Sequence, residues 1–252
     1  MHDLQFHQTA VILQFALAFF TILGVSFIIA PYGRHARSGW GPVIPSRWGW
    51  IMMESPACLG FLYFFSQGQY SAELMPLILL AFWQFHYIHR TFIFPFRMRT
   101  AGKTMPLAIV GLAIVFNCLN AYINATWISH FYHYTMAWIE MTVFWLGAGI
   151  FIIGFVINYH ADTVLLNLRK PGDTGYRIPN SGLYRYIACP NYFGEIIEWI
   201  GWAIMTWSTA GLAFALYTIA NLAPRAISNW HWYRRQFPDY PPERKALVPF
   251  VI

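Results

Sequence analysis

The residues that could do chemistry in this chain lie inside strongly apolar runs. Residues 86–90 (HYIHR) place two imidazoles, a phenol and a guanidinium at the end of one run, and Glu54 lies inside another. Ionisable groups in such segments are costly, so each is a functional-site hypothesis with a pairing partner expected nearby. Glu54 has a simpler interpretation too, as a hydrogen-bonding contact to a neighbouring helix.

Histidines in a membrane protein first suggest metal binding. Membrane di-iron oxygenases use several histidine boxes, whereas the close pairs in this chain are His86/His89 and His130/His133. The predicted topology puts the second pair on the opposite side of the membrane from the first. The sequence therefore predicts no metal site.

Other polar residues recur at helical spacing near the same ends of the apolar runs. Asn158 and Asp162 are four residues apart and share a helix face. Two longer stripes follow the same rule: Asn191, Glu195, Glu198 and Trp202, and then Asn221, Arg225, Asn229 and Tyr233. One asparagine alone could serve only as a contact between helices. Together the stripes indicate a polar cavity whose mouth accepts an anionic soluble ligand and whose depth accepts an apolar molecule from the lipid.

Composition shows which elements must position these groups. Of the 252 residues, 58% are hydrophobic and 10% are charged, unlike an ordinary soluble domain. A helix needs about 20 apolar residues to cross a bilayer. We expect an all-α integral membrane protein that forms a single domain over residues 1–252. Its seven transmembrane helices are predicted at 8–30, 48–66, 74–95, 106–124, 138–160, 190–206 and 211–231.

The distribution of Lys and Arg predicts the orientation. All 16 of them fall in alternate connections or the C-terminal tail, within 34–47, 90–103, 169–185 and 225–245. The positive-inside rule then places the N-terminus outside, the C-terminus in the cytoplasm and the polar cavity facing the cytoplasm. Because membrane orientation accounts for the basic charge, no nucleic-acid partner is predicted. Bacterial inner membrane and endoplasmic reticulum both stay open.

Several segments closely resemble steroid 5α-reductases. They are HYIHRTFIFP at 86–95, NYHADTVLLNLRKPGDTGYRIPNSGLYRYIACPNYFGEIIEWIGWA at 158–203 and FPDYPPERKALVPFVI at 237–252. PYGRH at 31–35 and ESPA at 54–57 extend the resemblance over nearly the whole chain. It implies a seven-helix enzyme that uses NADPH to reduce the 4,5 double bond of a membrane-dissolved 3-oxo-Δ4-steroid, such as testosterone or progesterone, or of a similar enone lipid. No obligate protein partner is implied.

The resemblance also implies which residues contact the substrate. Glu54 and Tyr87 match the pair that polarises the 3-oxo group in the family, where hydrogen-bond donors stabilise the charge that develops on the carbonyl oxygen. Burial favours the neutral form of a carboxylic acid, which can donate such a bond. Trp50, one helical turn before Glu54, would line the substrate pocket or anchor the helix at the membrane interface. The resemblance does not assign a role to three neighbouring residues: His86, His89 and Arg90.

The expected cofactor residues fall into two groups by the same resemblance. The first would hold the nicotinamide half and the ribose of NADPH: Asn158, Asp162, Asn191, Glu195 and Tyr233. The second would lie near the adenine and the phosphates, where cations offset negative charge: Tyr32, Arg34, Lys103, Arg169, Tyr176 and Arg177. Asn229, from the stripe in the last span, is added to the cofactor residues.

Two other functions compete with the reductase. The C-terminal half, with CPNYFGE and FPDYPPERKALVPFV, also resembles membrane methyltransferases that use S-adenosylmethionine on isoprenylcysteine or phospholipids. Methyl transfer has no evident need for Glu54 and Tyr87, whereas enone reduction does, so the reductase is favoured. A channel or receptor would fit seven spans but not the gathered cations, acids and amides. Phe94 and Leu112 depart from the family's residues at their positions, which leaves the substrate preference open.

Overall fold

The computed structural model describes residues 3–28, 35, 37–100, 102–168 and 175–252, and this part of the chain is mostly helical. Tyr32, Arg34 and Arg169, three of the expected cofactor residues, lie outside the described residues. The α-helices are α1 Leu4–Phe27, α2 Ser46–Ser55, α3 Phe61–Ser66, α4 Leu74–Ile88, α5 Phe94–Arg97, α6 Leu107–Thr126, α7 Thr142–Asn167, α8 Pro190–Thr206 and α9 Thr209–Gln236.

Wider π-helical turns connect or extend several of these helices. The turn Pro56–Gly60 joins α2 to α3, His89–Ile93 joins α4 to α5, and Trp127–Phe131 continues α6. Short 3₁₀ helices occupy Met136–Glu140 and Gly182–Arg185. Within the described ranges the helices therefore form seven rods, each of which overlaps one of the predicted spans.

Four of these helices are long and apolar enough to cross a membrane, by length and composition: Leu4–Phe27, Leu107–Phe131, Thr142–Asn167 and Thr209–Gln236. These helices fit a multi-pass membrane protein. Seven spans and the orientation of the termini stay predictions. The fourth rod ends at Phe131 instead of residue 124, because Asn124 is buried against the neighbouring Trp202 and does not mark the end of the helix.

Helices α7 and α8 pack more extensively than any other pair of described elements. Each carries two glycines seven residues apart, Gly147 and Gly154 on α7 and Gly194 and Gly201 on α8. A Cβ atom built on Gly154 would lie 2.3 Å from the backbone nitrogen of Glu198, and one built on Gly201 would lie 2.3 Å from that of Phe151. The two backbones are therefore in direct contact, as small residues allow in membrane helices.

The π turn after Glu54 is held by side chains of neighbouring helices. Proline cannot donate a backbone hydrogen bond, and Pro56 begins this turn. Three carbonyls in or beside the turn also accept side-chain hydrogen bonds: Met53 from Asn117 at 2.6 Å, Ala57 from Trp83 at 2.7 Å and Cys58 from Gln84 at 3.0 Å. The contacts of Trp83 and Gln84 fix this turn against α4, which carries Tyr87, and the contact of Asn117 fixes it against α6.

Two backbone pairings shape the end of the bundle that holds most of the polar residues. Strands β1 Val43–Pro45 and β2 Thr104–Pro106 form an antiparallel pair next to Lys103. The C-terminal tail pairs with the segment before α8, where Ala188 and Cys189 donate backbone hydrogen bonds to Lys245 and Ala246. Both pairings fix walls of the cavity described below.

Candidate active site

Glu54 on α2 and Tyr87 on α4 lie close to each other. Tyr87 is 4% exposed, and its ring packs against Trp83 at 5.0 Å and Trp199 at 5.6 Å. Glu54 and Tyr87 are within electrostatic range of each other. No hydrogen bond joins the Glu54 carboxyl group or the Tyr87 hydroxyl group to another residue in the part of the chain that the structure describes. Both groups are therefore available to a ligand.

Trp50 lies on α2, one helical turn before Glu54. Its indole nitrogen donates to the backbone carbonyl of Arg90 at 3.2 Å. The Arg90 guanidinium lies over the Trp50 ring at 4.8 Å and over the Phe94 ring at 4.7 Å, which is a cation–π arrangement with two adjacent rings. Aromatic rings thus keep this cation in place between the substrate and cofactor residues predicted from the sequence.

Arg90 is the centre of a polar network that connects α7 and α8. Its guanidinium donates to Asp162 at 3.1 Å and to Glu195 at 3.4 Å. Asn191 donates to Asp162 at 3.1 Å, while Asn158 donates to Glu195 at 3.4 Å and to the backbone carbonyl of Asn191 at 3.0 Å. The structure thus brings together four of the five residues expected at the nicotinamide half of the cofactor.

A second buried contact links α4 to α8 next to this network. His86 Nδ1 and Glu198 Oε1 lie 2.8 Å apart, and both side chains are almost fully buried. His89, in the following turn, contacts the Arg97 guanidinium at 3.4 Å, and Arg97 donates to Thr163 on α7 at 2.7 Å. These two histidines therefore face the helices α7 and α8, and within the described residues no three His, Cys, Asp or Glu side chains form a group that could hold a metal ion.

A cavity of about 250 Å³ opens beside Asn191. Five of the expected cofactor residues line it: Lys103, Tyr176, Asn191, Asn229 and Tyr233. Arg177, the neighbour of Tyr176, is exposed and is not among the described residues that line it. Asn191 belongs to both the cavity and the Arg90 network, so the cavity and the network adjoin at this residue.

The sequence missed several residues of the cavity wall. They are His35, Leu165, Tyr184, Ala188, Cys189, Tyr192 and Arg225. Arg225 had a signal, since it belongs to the polar stripe on α9. His35 lies within the PYGRH motif and reaches the cavity through a 3.0 Å contact with Asn229. Leu165 is an apolar residue near the end of α7, and the others come from the segment before α8 and the start of α8, where helical periodicity gives no information.

The C-terminal tail packs against Tyr233, which lines the cavity. The Tyr233 ring stacks on that of Tyr240 at 5.3 Å. Burial raises the pKa of Tyr240 to about 12, so its phenol is neutral at physiological pH. Arg244 is buried and donates to the Pro179 carbonyl at 2.9 Å and to Asn180. The tail thus connects the loop before α8 to the wall that holds Tyr233.

Comparison with known proteins gives one consistent result. The profile of the family described as 3-oxo-5-alpha-steroid 4-dehydrogenase matches residues 103–252. Steroid 5-alpha-reductase DET2 of Gossypium hirsutum is 42% identical to this chain over 245 residues, or 94% of each protein. The 3-oxo-5-alpha-steroid 4-dehydrogenase 1 of Homo sapiens is 43% identical over 228 residues, or 88% of this chain and 86% of the human one. These matches favour the reductase over the methyltransferase.

Proposed function

Because the chain belongs to the 3-oxo-5-alpha-steroid 4-dehydrogenase family, we propose that it reduces the 4,5 double bond of 3-oxo-Δ4-steroids with NADPH. The observation that carries this proposal is the proximity of two unengaged donors, Glu54 and Tyr87, to the network around Arg90. If the substrate carbonyl accepts hydrogen bonds from Glu54 and Tyr87, the double bond conjugated to it lies beside the network around Arg90. The residues of that network suit a cofactor. The substrate reaches this site from the bilayer.

We assign to Glu54 and Tyr87 the task of polarising the 3-oxo group. Reduction of an enone at its far carbon moves negative charge onto the carbonyl oxygen, and two donors in a buried site stabilise that charge. Glu54 must be neutral to donate. Its neutrality suits the local charges, since the nearby guanidinium of Arg90 already binds the carboxylates of Asp162 and Glu195.

The residues of the cavity and the network suit NADPH by their chemistry. Lys103 and Arg225 provide positive charge for phosphate groups, and Tyr176 and Tyr233 provide aromatic surface. Asn158 and Asn191 provide amides close to the substrate donors. When bound, NADPH supplies the hydride that this chemistry requires. Three further expected residues, Tyr32, Arg34 and Arg169, belong to this proposal although they lie outside the described residues.

The membrane arrangement is part of the same proposal. We infer a single domain with seven transmembrane helices, the N-terminus outside and the C-terminus in the cytoplasm. This orientation gives the cavity with Lys103 and Arg225 access to soluble NADPH, while a steroid reaches Glu54 and Tyr87 from the lipid. Four long apolar helices and the alternation of basic connections support it.

The test is an assay of the purified protein in detergent with NADPH and either testosterone or progesterone. We expect oxidation of NADPH that depends on the steroid, together with a 5α-reduced product identified by mass spectrometry and chromatography. S-adenosylmethionine, tested in parallel with isoprenylcysteine and phospholipid acceptors, should give no methylated product. Methyl transfer without consumption of NADPH would overturn the proposal.

A further inference from the structure

The hydrogen bond between His86 and Glu198 has no task in the mechanism proposed above. It joins α4 to α8 over 2.8 Å, and the side chains are 4% and 0% exposed. The second carboxyl oxygen of Glu198, Oε2, has no hydrogen-bond partner in the part of the chain that the structure describes. A pair this deeply buried and only half satisfied is weak evidence for a role in stability.

The surroundings of the pair are aromatic. The His86 ring lies 4.7 Å from the Trp199 ring, 4.9 Å from the Tyr87 ring and 6.3 Å from the Phe155 ring. Side chains of α4, α7 and α8 therefore enclose the imidazole. These three rings and the bond to Glu198 together fix the position of the imidazole.

The position of the pair in the fold links the proposed substrate site to the proposed cofactor site. His86 adjoins Tyr87, which we assign to the substrate, and Glu198 lies one helical turn after Glu195 in the cofactor network. The bond therefore connects the helix that holds the acceptor of the hydride to the helix that holds part of the donor site. Transfer between two bound molecules depends steeply on their separation, and about 1 Å of misplacement can slow it roughly a hundredfold.

We propose that the hydrogen bond between His86 and Glu198 is a positioning contact that sets the distance between Tyr87 on α4 and the cofactor residues on α8. Neither residue needs to touch the substrate or the cofactor for this role. The inference rests on the proposed function, because it gives the pair a task within that reaction. It predicts that losing the bond slows transfer more than it weakens folding or binding.

The experiment replaces both partners with apolar residues in the full-length protein, as His86→Phe with Glu198→Leu. Apolar replacement of a buried pair tends to preserve or raise stability, so this double variant should fold with an unchanged or higher Tm. Its dissociation constant for NADPH should also stay unchanged. Single-turnover oxidation of NADPH by the steroid should fall about a hundredfold. Glu198→Gln, whose amide can still bond the imidazole, should transfer close to the wild-type rate.

Gln14→Leu is the matched control. It removes a buried 2.9 Å hydrogen bond from α1 to Asn120 on α6 and leaves both His86 and Glu198 in place, and it should leave the rate of transfer unchanged. Hydrogen exchange of the α4 and α8 backbone, measured without substrate, should increase in the double variant and not in the control. A wild-type rate in the double variant would overturn the inference. So would unchanged exchange, a loss in Glu198→Gln as large as in the double variant, or a loss explained by weaker NADPH binding.

The exchange measurement separates this inference from the proposed function. A wild-type protein that reduces no enone would overturn the function, while exchange in α4 and α8 would still decide whether the bond fixes the two helices.

Discussion

Arg90 connects the two halves of the site through a single side chain. Its backbone carbonyl accepts from Trp50, its guanidinium lies over two adjacent aromatic rings, and its nitrogens bind Asp162 and Glu195. Charge-assisted hydrogen bonds of this kind are stronger than neutral ones. The sequence placed Arg90 next to the site but left its role open, because the partners come from helices distant in the chain.

Replacing the carbonyl donors is the first residue-scale prediction. Glu54→Gln and Tyr87→Phe should each lower kcat by about a hundredfold, since each weakens or removes a donor to the developing oxyanion. Binding of NADPH, followed by fluorescence, should be unaffected. Glu73→Gln and Tyr63→Phe make the same chemical changes at positions away from the site and should retain activity. Full turnover in both donor variants would refute the role of the pair.

Removing cavity cations is the second residue-scale prediction. Lys103→Gln and Arg225→Gln should each raise the KM for NADPH about tenfold, and more at low ionic strength, because each removes a charge that offsets phosphate. The KM for the steroid should change little. Arg235→Gln, at the exposed end of α9, is the matched control. Unchanged NADPH affinity in both cavity variants would show that the NADPH phosphates do not bind in this cavity.

At the scale of elements, the glycine contact between α7 and α8 brings their polar residues within reach of one another. Asn158 and Asp162 follow Gly154 on α7, and Glu195 follows Gly194 on α8. The stripes were predictable from helical spacing, and so was close packing from the small residues of α7. Which α8 residue faces which α7 residue was not predictable, because the register depends on the contact of two backbones far apart in the sequence.

Gly154→Ala tests this contact. Its methyl group would meet the backbone of Glu198, which cannot rotate away, so the helices would separate. We expect a loss of about 1–3 kcal/mol in the free energy of unfolding and weaker NADPH binding. Gly149→Ala, on the same helix with no atom within 4 Å of the new carbon, should be neutral or stabilising. Equal Tm values for the two variants would contradict the packing described.

The π turns at Pro56–Gly60 and His89–Ile93 were not predictable from the sequence. Such turns occur often at functional sites, and these two begin two residues after Glu54 and Tyr87. Pro56 signals an irregular helix but not its form. The form depends on Asn117, Trp83 and Gln84, whose side chains supply the hydrogen bonds around the first turn. Tertiary contacts, rather than local propensity, therefore set the direction of the Glu54 helix.

For the whole molecule, the predicted orientation can be tested by labelling single cysteines. In a variant that lacks Cys58, Cys118 and Cys189, Ser71→Cys should react with a membrane-impermeant maleimide added outside, whereas Ser38→Cys should react only after the membrane is opened. Both positions lie in connections between helices. The opposite pattern would reverse the topology and would separate the cavity from cytoplasmic NADPH.

Four of the glycines of α7 and α8, Gly147, Gly154, Gly194 and Gly201, also limit how this protein can move. Sliding one helix along the other would bring a side chain against backbone at once, and the next register that pairs the glycines lies seven residues, or about 10 Å, away. Shear between these helices is therefore blocked. Any rearrangement during turnover has to move the remaining helices, the loop before α8 or the tail around α7 and α8 as one fixed block. That block carries four of the five residues of the network around Arg90: Asn158, Asp162, Asn191 and Glu195.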